Sequence, residues 1–169
     1  MDVLLVDGYN VIGAWDELQR LKKHEISIAR DRLIEVLSEY QAYYQRRVII
    51  VFDALYVKGQ ESKVHFQNVE VIYTKEDETA DECIERLVKT YKTVMNQVYV
   101  ATSDYLEQRT IFSRGALRIS AHELFVQVND MAAQVEVQVA EKAQNKPKNV
   151  LHLPEEIARK LEEIRRKKS

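Results

Sequence analysis

Short runs of apolar residues alternate along the chain with longer segments in which apolar residues recur every three or four positions. The short runs predict buried β-strands, and the longer segments predict amphipathic helices. Such alternation is typical of a parallel sheet with helices packed on its faces, so the chain is predicted to be an α/β protein. The predicted strands are residues 3–6, 48–52, 69–73, 98–101 and 117–119, and the predicted helices are 27–46, 79–95, 105–113, 120–139 and the segment after Pro154.

Two helix starts and one loop stand out in this pattern. Thr79 followed by Glu82, and Ser120 followed by Glu123, have the spacing of a capping box, in which the hydroxyl and the carboxylate satisfy the first free N–H groups of a helix. Residues 55–68 show no clear period, and we predict that they form a loop.

The length and composition predict one globular domain. The chain has 169 residues, of which 46% are hydrophobic and 31% charged. Residues 146–149 (Lys-Pro-Lys-Asn) resemble a linker, so we expect a domain over 1–145 and a linker with a charged helix over 146–169. No apolar run approaches the roughly 20 residues that a membrane helix needs. The single cysteine fits a reducing compartment, so a cytoplasmic location is expected.

The charge balance gives little support for general binding to nucleic acid. The net charge of −2 argues against a protein that coats duplexes, since neutralisation of phosphates supplies most of such affinity. The last fifteen residues are more basic and include Arg165 and Arg166. They form either a patch that contacts RNA or an ordinary solvated helix.

Four aspartates follow the predicted strands. Asp7, Asp53 and Asp104 end three of them, and Asp81 lies in the first turn of the helix after the third strand. Ligands of open parallel sheets bind beyond the carboxyl ends of the strands. Crowded carboxylates repel one another, and Mg²⁺ or Mn²⁺ removes that penalty because these cations prefer oxygen ligands. The pattern therefore predicts metal-assisted chemistry on phosphodiesters.

Each of these aspartates also has a local explanation. Asp104 is a possible N-cap, Asp53 a turn residue, and Asp81 favours the dipole of its helix. Asp7 is harder to explain locally, because a carboxylate at the end of a buried strand is costly without a partner. Asn10, three residues later, is placed to hydrogen-bond a metal-bound water or a phosphate.

Residues 3–12 (VLLVDGYNVI) resemble the opening strand and turn of NYN domains, a branch of the PIN-like nucleases. Residues 51–54 (VFDA), 79–81 (TAD) and 101–104 (ATSD) follow in the order expected for this family. The match covers residues 1–145, and the whole chain is similar to the YacP-like members, which are ribosome-associated endoribonucleases. The resemblance implies a three-layer fold with a central five-stranded parallel sheet of order 3-2-1-4-5, followed here by a C-terminal helix.

The resemblance also implies a site and a function. It implies that Asp7, Asp81 and Asp104 hold Mg²⁺ or Mn²⁺ with support from Asn10, and that Asp53 matches a position that is acidic in some members. The expected activity is endonucleolytic cleavage of mRNA with the ribosome as partner, giving 5′-phosphate and 3′-hydroxyl ends. Apart from the resemblance, the positions of the residues in the chain suggest the candidate RNA contacts, which are Tyr9, Arg114, Arg118, Arg165 and Arg166.

Two alternatives stay open from the residues alone. The first is an adaptor of PIN-like fold that binds RNA or a ribosome with little or no catalysis. The second is a phosphotransferase that forms an aspartyl phosphate on Asp7. That chemistry normally uses a second acidic residue two positions later, where this chain has Tyr9.

Overall fold

The computed structural model describes residues 1–54, 62–66, 68–103, 111, 114–145 and 155–167. In this part of the chain, six strands and six helices are formed. The strands are β1 (Val3–Asp7), β2 (Arg47–Phe52), β3 (Ser62–Phe66), β4 (Val69–Tyr73), β5 (Val98–Ala101) and β6 (Leu117–Ile119). The helices are α1 (Gly8–Ala14), α2 (Asp16–His24), α3 (Ile26–Tyr44), α4 (Ala80–Tyr91), α5 (Ala121–Asn145) and α6 (Glu155–Lys167).

All strands belong to one sheet of order β3-β4-β2-β1-β5-β6. Strand β1 lies at its centre and pairs in parallel with β2 and with β5, while β4 and β6 continue the parallel pairing outward. Without β3, the five parallel strands have the order 3-2-1-4-5 when they are numbered among themselves. The prediction of an α/β fold with this strand order is confirmed.

The prediction of a loop over residues 55–68 is wrong for part of that segment. Residues Ser62–Phe66 form β3, which pairs antiparallel with β4 at the edge of the sheet. Asn68, just before β4, has a positive φ of 72°, a conformation that asparagine tolerates better than most residues. An edge strand gains most of its order from the neighbour with which it pairs, so its own sequence carries a weak signal.

The predicted helices differ from the observed ones mainly at their ends. Helix α4 stops at Tyr91, four residues short of its predicted end at Met95, which is exposed. Helix α3 ends at Tyr44 because Gln45 adopts a left-handed conformation with φ 51°. Helices α1 and α2 were not predicted. The predicted helix over 105–113 lies outside the described residues except for Ile111.

Both faces of the sheet are covered by helices. Leu4 and Val6 of β1 pack into a cluster with residues of α1 to α3 and the start of α5. Val3 and Leu5 point the other way and pack with α4. Because neighbouring residues of a strand point to opposite faces, the central strand is buried on both sides, which explains its continuous apolar run.

The chain divides into two compact units, Met1–Met131 and Ala132–Ser169. The first unit contains the whole sheet and the first turns of α5. The second contains the rest of α5 and α6, on which Ile157, Leu161 and Ile164 are exposed. The predicted division between residues 145 and 146 stays a prediction.

The buried Tyr40 hydroxyl joins α3 to α5. It donates to Gln127 Oε1 at 2.7 Å and accepts from Arg46 Nη1 at 3.0 Å. Burial raises the pKa of Tyr40 above its ordinary value of 10.0, and the charge of Arg46 offsets part of this rise.

We expect Tyr40→Phe to lower the free energy of unfolding by about 1–3 kcal/mol, because the polar groups around the lost hydroxyl lose their partner. The raised pKa means that Tyr40 contributes its full stability below pH 10.0 and loses it as the pH rises through the folded-state pKa. The variant should therefore lose less stability than the wild type above pH 10.0. Urea unfolding at neutral and alkaline pH measures both effects. Tyr43→Phe is the control because Tyr43 is exposed, and equal alkaline losses in wild type and Tyr40→Phe would contradict this account.

Candidate active site

The carboxyl ends of the three central strands lie at one edge of the sheet. Asp7 is the last residue of β1 and lies opposite Val51 of β2, while Val6 lies opposite Ala101 of β5. Asp53 directly follows β2, and Thr102 and Ser103 directly follow β5. The parallel register therefore brings these polar residues to the edge where ligands of open α/β sheets bind.

Asp7 and Asp53 lie on the same side of this edge. In β1, Val3 and Leu5 face α4, and the alternation of a strand assigns Asp7 to that face. In β2, Ile49 and Val51 face α4. Asp53 lies on the same side, as its hydrogen bond to the first residue of α4 shows. Asp53 Oδ2 accepts from the backbone N–H of Ala80, the first residue of α4, at 3.2 Å. Both carboxylates are half-buried.

This bond ties the end of β2 to the start of α4, where Asp81 is found. Thr79 caps the helix, since its Oγ1 accepts from the N–H of Glu82 at 3.2 Å, as the capping box predicts. Asp81 is exposed in the first turn of α4. The structure thus places Asp81 directly after the residue that Asp53 binds.

Asn10 links the start of α1 to the end of β5. Its Oδ1 accepts from the backbone N–H of Ser103 at 2.8 Å. Nδ2 of the same amide carries two N–H groups, and each is able to donate a hydrogen bond to a phosphate oxygen. Asn10 therefore lies at the same edge as Asp7, with a defined orientation.

The described residues supply part of the predicted metal site. Asp104 lies outside them. Among the described side chains, no group of three histidines, cysteines, aspartates or glutamates is close enough to hold a metal ion. Mg²⁺ is commonly held by one or two carboxylates together with waters and substrate phosphates. Asp7 and Asp53 place two half-buried carboxylates on one face at the strand ends. Their oxygen atoms fit that requirement.

A tightly packed aromatic ring lies under the turn that carries Asp7 and Asn10. Phe52 is fully buried, and its ring contacts Tyr9 at 5.0 Å and Tyr73 at 5.6 Å between centroids. A Cβ added to Gly8 would lie 2.3 Å from Phe52 Cε1, so only glycine fits there. The Tyr9 hydroxyl accepts from Arg30 Nη1 at 3.1 Å. Tyr9 is thus part of this packing, and its contact with RNA stays a prediction.

The predicted basic contacts belong to different elements of the chain. Arg118 Nε donates to the backbone carbonyl of Thr102 at 3.0 Å, at the edge of the sheet that carries Asp7. Arg114 is exposed and pairs with Glu85 at 3.1 Å. Arg165 and Arg166 are exposed on α6 in the second unit. Their contacts with RNA stay predictions.

A cavity of about 290 Å³ opens beside the bond between Asn10 and Ser103. Among the described residues, its lining is Ala14, Trp15, Asp16, Ser103, His122 and Phe125. Sequence reasoning missed this feature. Its residues come from three distant segments, and no spacing in the sequence connects them.

A larger cavity, about 490 Å³, lies at the opposite edge of the sheet beside the start of β2. Several of its polar side chains are already engaged. Gln41 bonds Asn68 and Val48 through its two amide atoms, Arg46 lies over the ring of Tyr99, and Arg47 pairs with Glu70. We therefore place the candidate site at the carboxyl edge and not here.

This doubly wound α/β domain, with carboxylates at the ends of its central strands, has the nuclease-like fold of the family whose sequence profile it matches. The sequence profile of the YacP-like NYN domain matches residues 4–166, and the chain belongs to this family. A Bacillus subtilis (strain 168) protein described as "uncharacterized protein YacP" is 49% identical over 166 residues, which are 98% of each chain.

Two solved structures are similar to this chain over most of its length. The crystal structure of Rae1 (YacP) from Bacillus subtilis has a TM-score of 0.77 and 49% identity, over 98% of this chain and 95% of that one. A tryptophan-to-leucine mutant of the same protein has the same TM-score and identity over 86% of each chain. These matches confirm the family and the fold. In the part of the chain that the structure describes, no helix is both long and apolar enough to span a membrane.

Proposed function

We propose that the protein is a metal-dependent endoribonuclease that cleaves mRNA in association with the ribosome. One observation carries the proposal. Asp7 and Asp53 end adjacent strands on the same face of the sheet, and Asp53 is bonded to the first residue of the helix that carries Asp81. The local explanations of the individual aspartates, as a turn residue or as a favourable charge at a helix start, would not require them to lie together at one edge of the sheet.

Asp7, Asp81 and Asp104 are the proposed ligands of Mg²⁺ or Mn²⁺, with Asp53 as a fourth acidic group. When bound, such an ion supplies positive charge that stabilises a reacting phosphate and lowers the pKa of a coordinated water. Attack by water with the 3′ oxygen as leaving group gives the proposed 5′-phosphate and 3′-hydroxyl ends.

The other residues of this edge orient the substrate. Asn10, with its Oδ1 held by Ser103, presents its Nδ2 donors toward an incoming phosphate. The N-terminus of α4, a helix of 12 residues, adds the partial positive charge of its dipole beside Asp53. The proposed contacts to the RNA backbone are Arg114 and Arg118 in the first unit and Arg165 and Arg166 in the second, and these four are not assigned to one edge. The ribosome as partner follows from the resemblance to YacP-like members.

A metal titration tests the catalytic proposal. We expect the purified protein to cleave a translated message in the presence of Mn²⁺ and to stop when a chelator is added. Activity should return when Mn²⁺ is restored, because the carboxylates require the cation to tolerate one another and to act on phosphate. Mapping the 5′ ends of the products, with and without translating ribosomes, measures the cleavage sites and the dependence on translation.

The adaptor is the second candidate, and one observation favours it. Within the described residues there is no group of three metal-binding side chains. An adaptor would bind free RNA equally well with Mn²⁺ and with chelator, and would leave the message intact. That result would replace the nuclease proposal.

A further inference from the structure

The cavity next to Asn10 is built largely from aromatic rings. Trp15 lies between α1 and α2, and its Nε1 donates to the backbone carbonyl of Ala121 at 2.8 Å. Phe125 meets the edge of the Trp15 ring at 5.7 Å and lies nearly parallel to His122 at 6.5 Å. The hydrogen bond holds Trp15 in place, while Phe125 and His122 are exposed.

The position of the cavity connects it to the proposed active site. Ser103 belongs to its lining, and the N–H of Ser103 is the group that Asn10 accepts from at 2.8 Å. Asn10 lies three residues after Asp7. Trp15 packs in the cluster on the face opposite α4, so a nucleotide in the cavity would contact Ser103 at the strand ends from the side of α1 and α5.

The chemistry of the lining selects the kind of group that fits. Aromatic faces attract the flat rings of nucleobases, and such stacking does not depend strongly on sequence. The carboxylate of Asp16 in the lining repels phosphate and is able to accept hydrogen bonds from base N–H groups. The volume, about 290 Å³, is at the lower end of the roughly 300–1,000 Å³ typical of small-molecule pockets. It suits a single base and not a longer stretch of RNA.

We propose that this cavity is a base-stacking subsite that takes one nucleobase of single-stranded RNA flanking the scissile phosphate, with Phe125 and His122 as the stacking surface. The inference rests on the proposed function in taking RNA as the ligand. It adds Phe125 and His122 as residues that position the substrate relative to the strand ends.

The test uses binding in the presence of a chelator, so that cleavage plays no part. Trp15 is the only tryptophan of the chain and lines the cavity, so its fluorescence reports on occupancy. RNA hexanucleotides in which one base at a time is removed are titrated into the full-length protein. We expect one position at which loss of the base weakens binding about 5- to 100-fold and abolishes the change in Trp15 fluorescence.

Variants of Phe125 separate stacking from simple packing. Phe125→Leu keeps an apolar side chain but should lose the sensitivity to the missing base, whereas Phe125→Tyr should retain it. Val126→Ala, at the next and equally exposed position of α5, is the matched control and should bind like the wild type. Equal binding of all abasic hexanucleotides by the wild type, or unchanged sensitivity in Phe125→Leu, would overturn the subsite.

The two proposals fail in different ways. If Mn²⁺ produces no cleavage but the sensitivity to one missing base is present, the subsite stands and the nuclease assignment does not. If cleavage is observed and no position is sensitive, the nuclease stands and the subsite does not.

Discussion

Asp7→Asn is expected to reduce Mn²⁺-dependent cleavage of RNA at least ~10²-fold and to leave the protein folded. The substitution removes a negative charge at the end of the central strand, where Asp53 lies on the same face. Asp7 makes no side-chain capping bond to α1, so its replacement by a residue of the same shape costs no cap. Thermal unfolding should therefore occur at the same or a higher temperature, because repulsion between carboxylates is relieved. Rates of cleavage and thermal melts, measured on the same preparations, check both statements.

Asp81→Asn extends this prediction to the start of α4 and should also abolish cleavage, while loss of the favourable interaction of Asp81 with the helix dipole should cost no more than about 1 kcal/mol of stability. The matched control is Asp77→Asn, since Asp77 is an exposed aspartate in the preceding loop and has no proposed role. If Asp7→Asn cleaves RNA as fast as Asp77→Asn does, Asp7 is not a metal ligand. The same result for Asp81→Asn would refute the assignment of Asp81.

Gly8→Ala is expected to lower the free energy of unfolding by about 1–3 kcal/mol and to impair cleavage as well. The added Cβ would lie 2.3 Å from Cε1 and 2.5 Å from Cδ1 of Phe52. Phe52 is fully buried and held between Tyr9 and Tyr73, so its ring has no space to retreat. The backbone must move instead, and it connects Asp7 to Asn10. Urea unfolding measures the loss of stability.

Gly13→Ala is the control in the same helix. Its added Cβ would meet only Gln19 Nε2, at 3.7 Å, an ordinary contact. Because alanine favours a helix more than glycine does, this variant should be stabilised by up to about 1 kcal/mol.

The double variant Gly8→Ala/Phe52→Leu tests the clash itself. Its loss of unfolding free energy should be smaller than the sum of the losses of the two single variants, because the smaller side chain makes room for the added Cβ. Strict additivity would contradict the proposed clash.

The periodicity of the chain was sufficient to predict the parallel sheet. Buried parallel strands are continuous apolar runs, and β1, β2 and β5 carry that signal, while the outer strands β4 and β6 alternate apolar residues with Glu70 or Arg118. The capping residues Thr79 and Ser120 also predicted helix starts, and their hydroxyls accept from Glu82 and Glu123 as expected. Strand β3 was missed because an edge strand depends on pairing with its neighbour.

For the candidate site, the sequence indicated which residues to consider but not how they are held. The positions of Asp7 and Asp53 after apolar runs predicted that both would lie at the carboxyl edge. The bond from the N–H of Ala80 to Asp53, and that from the N–H of Ser103 to Asn10, join segments 27 and 93 residues apart. No local pattern encodes such contacts.

The amino-acid sequence by itself determined the α/β class, the five parallel strands, the family and the set of aspartates, because these depend on local periodicity and on short motifs. The tertiary structure alone decided that Phe52 leaves room only for glycine at position 8. It also decided that Trp15, His122 and Phe125 surround one cavity beside Asn10. Both features arise where distant segments pack in three dimensions, and packing is set by the shapes of all neighbours together and not by any one stretch of chain.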